Sequence, residues 1–205
     1  MLTKKQLDVF KVFRNNLMRK ITFSELKKEL KENSSSKLQR TISLFKEEDL
    51  VNVEVIGKSK LIFLNFENNK LFDYLSIFER EFYENMPYEV LKNIQNEILK
   101  ETEFFSFIVF GSYASKKATK KSDLDLCVLV ENEDVKKEIV PLINSVKRKE
   151  VLEVYVEIFT RSEFLEMLGD EKENVGKEIV RNHFVFYGLG NFYKLILKRY
   201  GNVVD

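Results

Sequence analysis

Two apolar runs, separated by a glycine-serine step and a pair of aspartates, constrain this chain more than any other feature of its 205 residues. The segment reads IVFGSYASKKATKKSDLDLCVLV, from Ile108 to Val130. Phe104 to Phe110 is nearly all apolar, as a strand buried on both faces is. A second such run, LDLCVLV, lies within Ser122 to Val130. Between the runs stand Gly111-Ser112, ten residues, and Asp123-Leu124-Asp125. Two aspartates at i and i+2 of a strand point to one face, with Cα atoms about 7 Å apart. Their carboxylates can converge on one or two hard cations. Gly111 allows a close approach of backbone to ligand, and Ser112, opening a helix, adds a hydroxyl and helix-start amides that favour anions.

The elements around this segment predict an α+β domain. A helix from Asp134 to Lys147 carries Val135, Ile139, Leu142 and Ile143 on one face. A strand follows from Val151 to Thr160, then helices over Phe164 to Leu168 and Lys172 to Tyr200. His183, the only histidine, falls within that last predicted helix, where packing or a local hydrogen bond is its expected role. Cys127, the only cysteine, sits between apolar strand residues as inert core and excludes an internal disulfide.

Gly-Ser, a spacer and Asp-x-Asp between two buried strands resembles the minimal nucleotidyltransferase family, within the polymerase-beta-like superfamily. The resemblance implies a small mixed sheet flanked by helices and transfer of a nucleoside monophosphate from a nucleoside triphosphate, ATP foremost, to an acceptor hydroxyl. It implies two Mg2+ ions, or Mn2+ in their place, held by Asp123, Asp125 and a third carboxylate on a neighbouring strand. Within EVYVEIFTRSEF, the apolar-acidic-apolar step Val156-Glu157-Ile158 fits best, so Glu157 joins Asp123 and Asp125 as catalytic and metal-binding. Glu153 shares that strand face nearer its start, and Glu163 is read as the cap of the next helix. Nucleotide contacts fall on Gly111, Ser112, Tyr113 and Ser122, although a tyrosine filling a helix start explains Tyr113 equally well. The chain departs from relatives by carrying Ala114-Ser115-Lys116 where Ala-Arg-Gly is frequent. Lys116, Lys117, Lys120 and Lys121 are the cations available instead, with Lys116 and Lys117 read as a solvated face.

The first third follows another pattern. Leu7, Phe10, Phe13 and Leu17 fall at helical spacing, Ile21 to Phe23 is extended, and Thr22 with Glu25 forms a capping box, or Ser24 caps, for a helix carrying Leu26 and Leu30. Ser34 to Ser36 precede a third helix with Leu38, Ile42 and Phe45 on one face. A hairpin follows, with Val51, Val53 and Val55 alternating, a turn at Gly57 to Ser59, and a strand from Lys60 to Phe66. Helices followed by a two-stranded wing resemble the winged-helix DNA-binding domains. That resemblance implies a third helix in the major groove, with Ser36, Lys37, Gln39 and Arg40 toward DNA and Lys58 and Lys60 of the wing near phosphates. Residues 1–66 hold 14 Lys plus Arg against 8 Asp plus Glu, a balance of +6; the remainder has 34 − 14 = 20 against 33 − 8 = 25, or −5. This asymmetry favours nucleic acid as a partner of the basic part. The alternative is a dimerisation or docking module.

The domain expectation is therefore a winged helix over 1–66, a helical connector over 67–86 with the boundary near Asn85, and a nucleotidyltransferase domain over 87–205. The first 25 residues lack an apolar h-region, and no run approaches 18 apolar residues, so a cytoplasmic protein without membrane association is expected. Two functions stay open: an enzyme modifying a partner protein, as antitoxins of the family modify a toxin, or a DNA-binding regulator whose second domain only binds nucleotide. A homodimer is compatible with either.

Overall fold

The computed structural model describes residues 2–14, 16–57, 59–82 and 86–200. The chain divides into two units, Met1–Phe82 and Tyr83–Asp205.

In the first unit, α1 (Lys4–Leu7) is a single turn with a capping box between Thr3 and Gln6, and it tightens into a 3₁₀ turn over Asp8–Val12. The spacing predicted one continuous helix through Leu17. A 3₁₀ turn aligns every third residue, so Leu7, Phe10 and Phe13 still reach the core, where Leu17 joins them. β1 (Ile21–Thr22) leads directly into α2 (Phe23–Glu29), capped by Thr22 and Glu25 in the expected box. Ser34 caps α3 (Ser35–Glu47), which buries Leu38, Thr41, Ile42 and Phe45. The hairpin β2 (Val51–Ile56) and β3 (Ser59–Leu64) then returns to pair with β1, giving an antiparallel sheet in the order β1-β3-β2. Residues 67–86, expected as a connector, contain α4 (Asn69–Phe82). Its Leu71, Tyr74 and Leu75 are buried, and Phe78 meets Phe10 with ring centroids 5.9 Å apart, so α4 is part of this unit's core. Lys58 and Asn85 lie outside the described residues.

The second unit opens with α5 (Tyr88–Ile98), which buries Val90, Leu91, Ile94 and Ile98. Its four-stranded sheet has the order β6-β5-β4-β7, from β4 (Ser106–Val109), β5 (Leu124–Val130), β6 (Val154–Thr160) and β7 (Phe184–Tyr187). β4 is antiparallel to both of its neighbours, whereas β5 and β6 are parallel. The parallel pair needs a crossover, supplied by α7 (Glu133–Lys147) with Asn132 as its cap. α6 (Gly111–Ala114) is the single turn between β4 and β5. α8 (Arg161–Gly169) and α9 (Val175–Arg181) follow β6, and α10 (Leu189–Tyr200) ends the unit.

A further sequence expectation is overturned in the second unit. The helix predicted over Lys172 to Tyr200 is instead α9, β7 and α10. Phe184 to Tyr187 pairs with β4, and Gly188, at φ +71°, turns the chain where an added Cβ would lie 2.1 Å from Phe105 O. His183 therefore sits between α9 and β7 rather than inside a helix. Among the described residues, no helix is long and apolar enough to cross a membrane.

Candidate active site

β4 ends and β5 begins at the same end of the sheet, because the two strands are antiparallel and Val109 pairs with Leu126. Phe110 N donates to Asp125 O at 3.0 Å, which extends the pairing by one step and brings Gly111 beside Asp125. Gly111 adopts φ +64°, a left-handed backbone that L side chains rarely adopt. An added Cβ there would stand 2.1 Å from Asp125 Oδ2, so the carboxylate occupies the space that glycine leaves. This position demands glycine twice, once for the backbone and once for the aspartate above it.

Asp123 and Asp125 are both half-buried. Burial pushes the Asp125 carboxyl above the usual aspartate range, and the negative charges of Asp123 and then Glu178 push it further. Two neighbouring carboxylates, one of them buried enough to resist ionisation, form a donor set suited to a hard divalent cation, which would relieve their repulsion. Among the described residues, no three His, Cys, Asp or Glu side chains are gathered closely enough to hold an ion.

The other residues read from the sequence are distributed as follows. Ser112 and Tyr113 lie in α6, both half-buried beside Gly111. Ser122 closes the ten-residue loop: its hydroxyl accepts Thr119 N at 2.9 Å, a turn interaction that sets Asp123 at the start of β5. Lys117, Lys120 and Lys121 are exposed, and Lys116 takes φ +57° at the exit of α6. On β6, register pairs Asp125 with Tyr155 and Cys127 with Glu157. Glu157 shares the aspartates' face and is exposed, but it stands beside the buried Cys127. Glu153 immediately precedes the first registered pair, with its carbonyl accepting Leu124 N at 2.9 Å. Its side chain is held by the Tyr155 hydroxyl, which donates to Oε1 at 2.5 Å. That bond, then the charges of Glu153, Asp123 and Asp125, raise the Tyr155 phenol above its ordinary range. Glu163 makes the capping box with Thr160 that the sequence suggested.

Two residues, one on α9 and one at its C-terminal cap, escaped the sequence reading. Asn182 Nδ2 donates to Gly111 O at 3.3 Å, tying the end of α9 to the Gly-Ser turn. Glu178, one helical turn earlier, adds negative charge at Asp125. His183 next to them is buried, with Nδ1 3.0 Å from the Ile179 and Val180 carbonyl oxygens and Nε2 3.2 Å from the Tyr193 hydroxyl. Carbonyl oxygens only accept, which assigns the proton to Nδ1 and makes His183 a packing residue.

In the first unit, Ser36, Lys37, Gln39, Arg40 and Lys60 are all exposed, the first four on α3. Ser36, Gln39, Arg40 and Ser43 line one open groove with Leu44 and Glu47.

Residues 91–182 match the family model described as nucleotidyltransferase domain. The match runs from α5 to Asn182 and contains Gly111, both aspartates and the whole of β5 and β6. Over these residues the second unit is similar to nucleotidyltransferase domains. Comparison with curated proteins and with solved structures gave no match.

Proposed function

We propose that this protein is a magnesium-dependent nucleotidyltransferase that moves the nucleoside monophosphate of ATP to an acceptor hydroxyl. The observation that carries the reading is the half-buried aspartate pair, with the Asp125 carboxylate seated over Gly111. Two Mg2+ ions, or Mn2+, would be held by Asp123, Asp125 and a third carboxylate, supplying Lewis acidity to the attacking hydroxyl and to the departing pyrophosphate. In the reaction, the acceptor oxygen bonds to the α-phosphorus, the α–β anhydride bond breaks, and pyrophosphate leaves. The hydroxyl proton passes to a carboxylate of the site. Gly111 and Ser112 open α6 toward the phosphates, while Tyr113 and Ser122 flank them. Asn182 keeps the Gly111 carbonyl fixed, so this turn is already set before nucleotide arrives.

Glu157 and Glu153 compete for the third carboxylate. The register favours Glu153, which precedes Val154, the partner of Leu124, and so runs alongside Asp123. Glu157 is two residues beyond Tyr155, about 7 Å further along the strand.

The acceptor we favour is a partner protein, as for an antitoxin modifying its toxin, in a cytoplasmic setting. A second reading rests on the exposed polar face of α3 and the +6 balance of residues 1–66: a winged-helix regulator, monomeric or dimeric, that binds DNA and only senses nucleotide. Incubating the purified chain with α-labelled ATP, Mg2+ and host lysate tests the first reading. Label should enter one acceptor and vanish in Asp123→Asn and Asp125→Asn; transfer that survives both substitutions refutes it. Salt-dependent duplex binding, weakened by Arg40→Ala, with no transfer at all, would favour the second.

A further inference from the structure

The first unit carries a groove of about 450 Å³ between α1 with its 3₁₀ turn and the α2–α3 corner. That volume falls within the range of small-molecule sites. Its floor is apolar, with Val9, Val12 and Leu38 buried. Its rim is cationic, with Lys5, Lys11, Lys31, Lys37 and Arg40 around the opening. Three carboxylates share the lining, and two have cation partners already: Asp8 pairs with Lys11 at 2.7 Å, and Glu29 pairs with Arg19. The third, Glu32, accepts Ser34 N at 3.0 Å, and after that bond the charges of Lys5 and Lys37 help hold its carboxyl below the usual range, so it offsets part of their charge.

This leaves Lys5, Lys31, Lys37 and Arg40 outside any salt bridge among the described residues. Lys5 and Lys37 line the groove from α1 and α3, and the nearby Lys5 amine, against the opposing charge of Glu32, holds the Lys37 ammonium below the usual lysine range. Two neighbouring ammonium groups repel, and an oxyanion between them turns that repulsion into two charge-assisted hydrogen bonds. One carboxylate would neutralise only one of the four cations, whereas a polyphosphate matches several. The concave shape and apolar floor suit a small molecule better than a duplex, which would meet the open α3 face carrying Ser36, Gln39 and Ser43.

We propose that this groove binds a phosphorylated small molecule of nucleotide size, its phosphate oxygens bridging Lys5 and Lys37 with Arg40 alongside, and its apolar part resting on Val9, Val12 and Leu38. The site belongs to the first unit, and its test does not depend on the transfer reaction. The full chain is titrated calorimetrically in EDTA with ATP and with inorganic pyrophosphate, beside Lys5→Gln, Lys37→Gln and the Asp123→Asn/Asp125→Asn double variant. Saturable binding of one equivalent is expected, tighter for ATP than for pyrophosphate. Each lysine substitution should weaken it by about tenfold or more, with binding by the double variant unchanged and both lysine variants melting as the parent does. Binding that ignores both lysines, or is lost in the double variant, overturns the proposal. So does an outcome in which the lysine substitutions affect only the binding of a random-sequence duplex and neither small probe binds. Equal affinity for the two probes overturns the role given to the apolar floor.

Discussion

A Cβ added to Gly111 would stand 2.1 Å from Asp125 Oδ2, so the aspartate rests in space that only glycine leaves open. The left-handed backbone at φ +64° adds a second demand for glycine. Gly111→Ala is therefore expected to cost about 1–2 kcal/mol of stability from the backbone alone. The displaced carboxylate should lower transfer by roughly a hundredfold, the scale of a misplacement of about 1 Å at a reacting centre. Urea unfolding and single-turnover transfer measure the two effects separately. Near-parental activity in the variant would show that the seating of Asp125 over Gly111 is unimportant to the chemistry.

Asp125 also links the site to stability. Its carboxyl is raised by burial, then by Asp123 and Glu178. A raised folded-state value means that the stability contribution is complete below the ordinary aspartate range, about 3.9, and is lost as pH rises through the raised value. At pH 7 the ionised group opposes folding. Asp125→Asn should thus melt higher than the parent at pH 7, with the gap closing near pH 3, while transfer falls roughly a hundredfold or more, about 3 kcal/mol of barrier. Millimolar Mg2+ should raise the melting point of the parent and not of the variant. A variant that melts lower than the parent at pH 7 would contradict this account.

The strand–turn–strand placement of the two aspartates was legible in the sequence because it is local. Gly111, Ser112, Asp123 and Asp125 all lie on one strand–turn–strand passage, where period-2 geometry and turn chemistry fix their relation. The contribution of α9 was not legible, because Asn182 meets Gly111 across 71 positions of sequence. β7 was missed for a related reason. Phe184 to Tyr187 is a short apolar run beside the helically spaced Ile179 and Val180, and only its pairing with β4 makes it a strand. Gly188 held the one local signal, a break that the predicted long helix ran through. In the first unit the i, i+3 spacing of Leu7, Phe10 and Phe13 served a 3₁₀ turn as readily as an α-helix, so burial was read correctly and winding was not.

The corner between β6 and α8 offers a test away from the site. Thr160 Oγ1 accepts Glu163 N at 3.2 Å, and the Glu163 carboxylate returns to Thr160 N at 2.7 Å while also holding Lys136. Thr160→Ala should cost about 1 kcal/mol. Lys136, then the Thr160 amide, keep the Glu163 carboxyl below its ordinary range. Its contribution is present above the ordinary glutamate value, about 4.3, and is lost as pH falls through the depressed one. Glu163→Gln should therefore cost roughly 0.5 kcal/mol at pH 7, since solvent screens this half-exposed pair, and nothing near pH 2. Urea titrations at the two pH values read this directly; an equal cost at both would assign the effect to packing rather than charge.

The choice between Glu153 and Glu157 as the proposed third carboxylate turns on strand register. Asp125 pairs with Tyr155, which sets Glu153 beside Asp123 and Glu157 beside the buried Cys127. Glu157 raises the proton affinity of the Cys127 thiol behind burial itself, which marks where its charge acts. Glu153→Gln is accordingly expected to reduce kcat by roughly a hundredfold and to weaken the dependence on Mg2+ concentration. Glu157→Gln should cost less than about tenfold. The Tyr155 phenol supplies a second readout, because its bond to Glu153 is the largest cause of its raised value. In Glu153→Gln its titration should move down toward the ordinary tyrosine range; in Glu157→Gln it should stay in place. If instead Glu157→Gln abolishes transfer and Glu153→Gln spares it, the apolar-acidic-apolar step Val156-Glu157-Ile158 outweighs register, and β6 must shift along β5 when nucleotide binds.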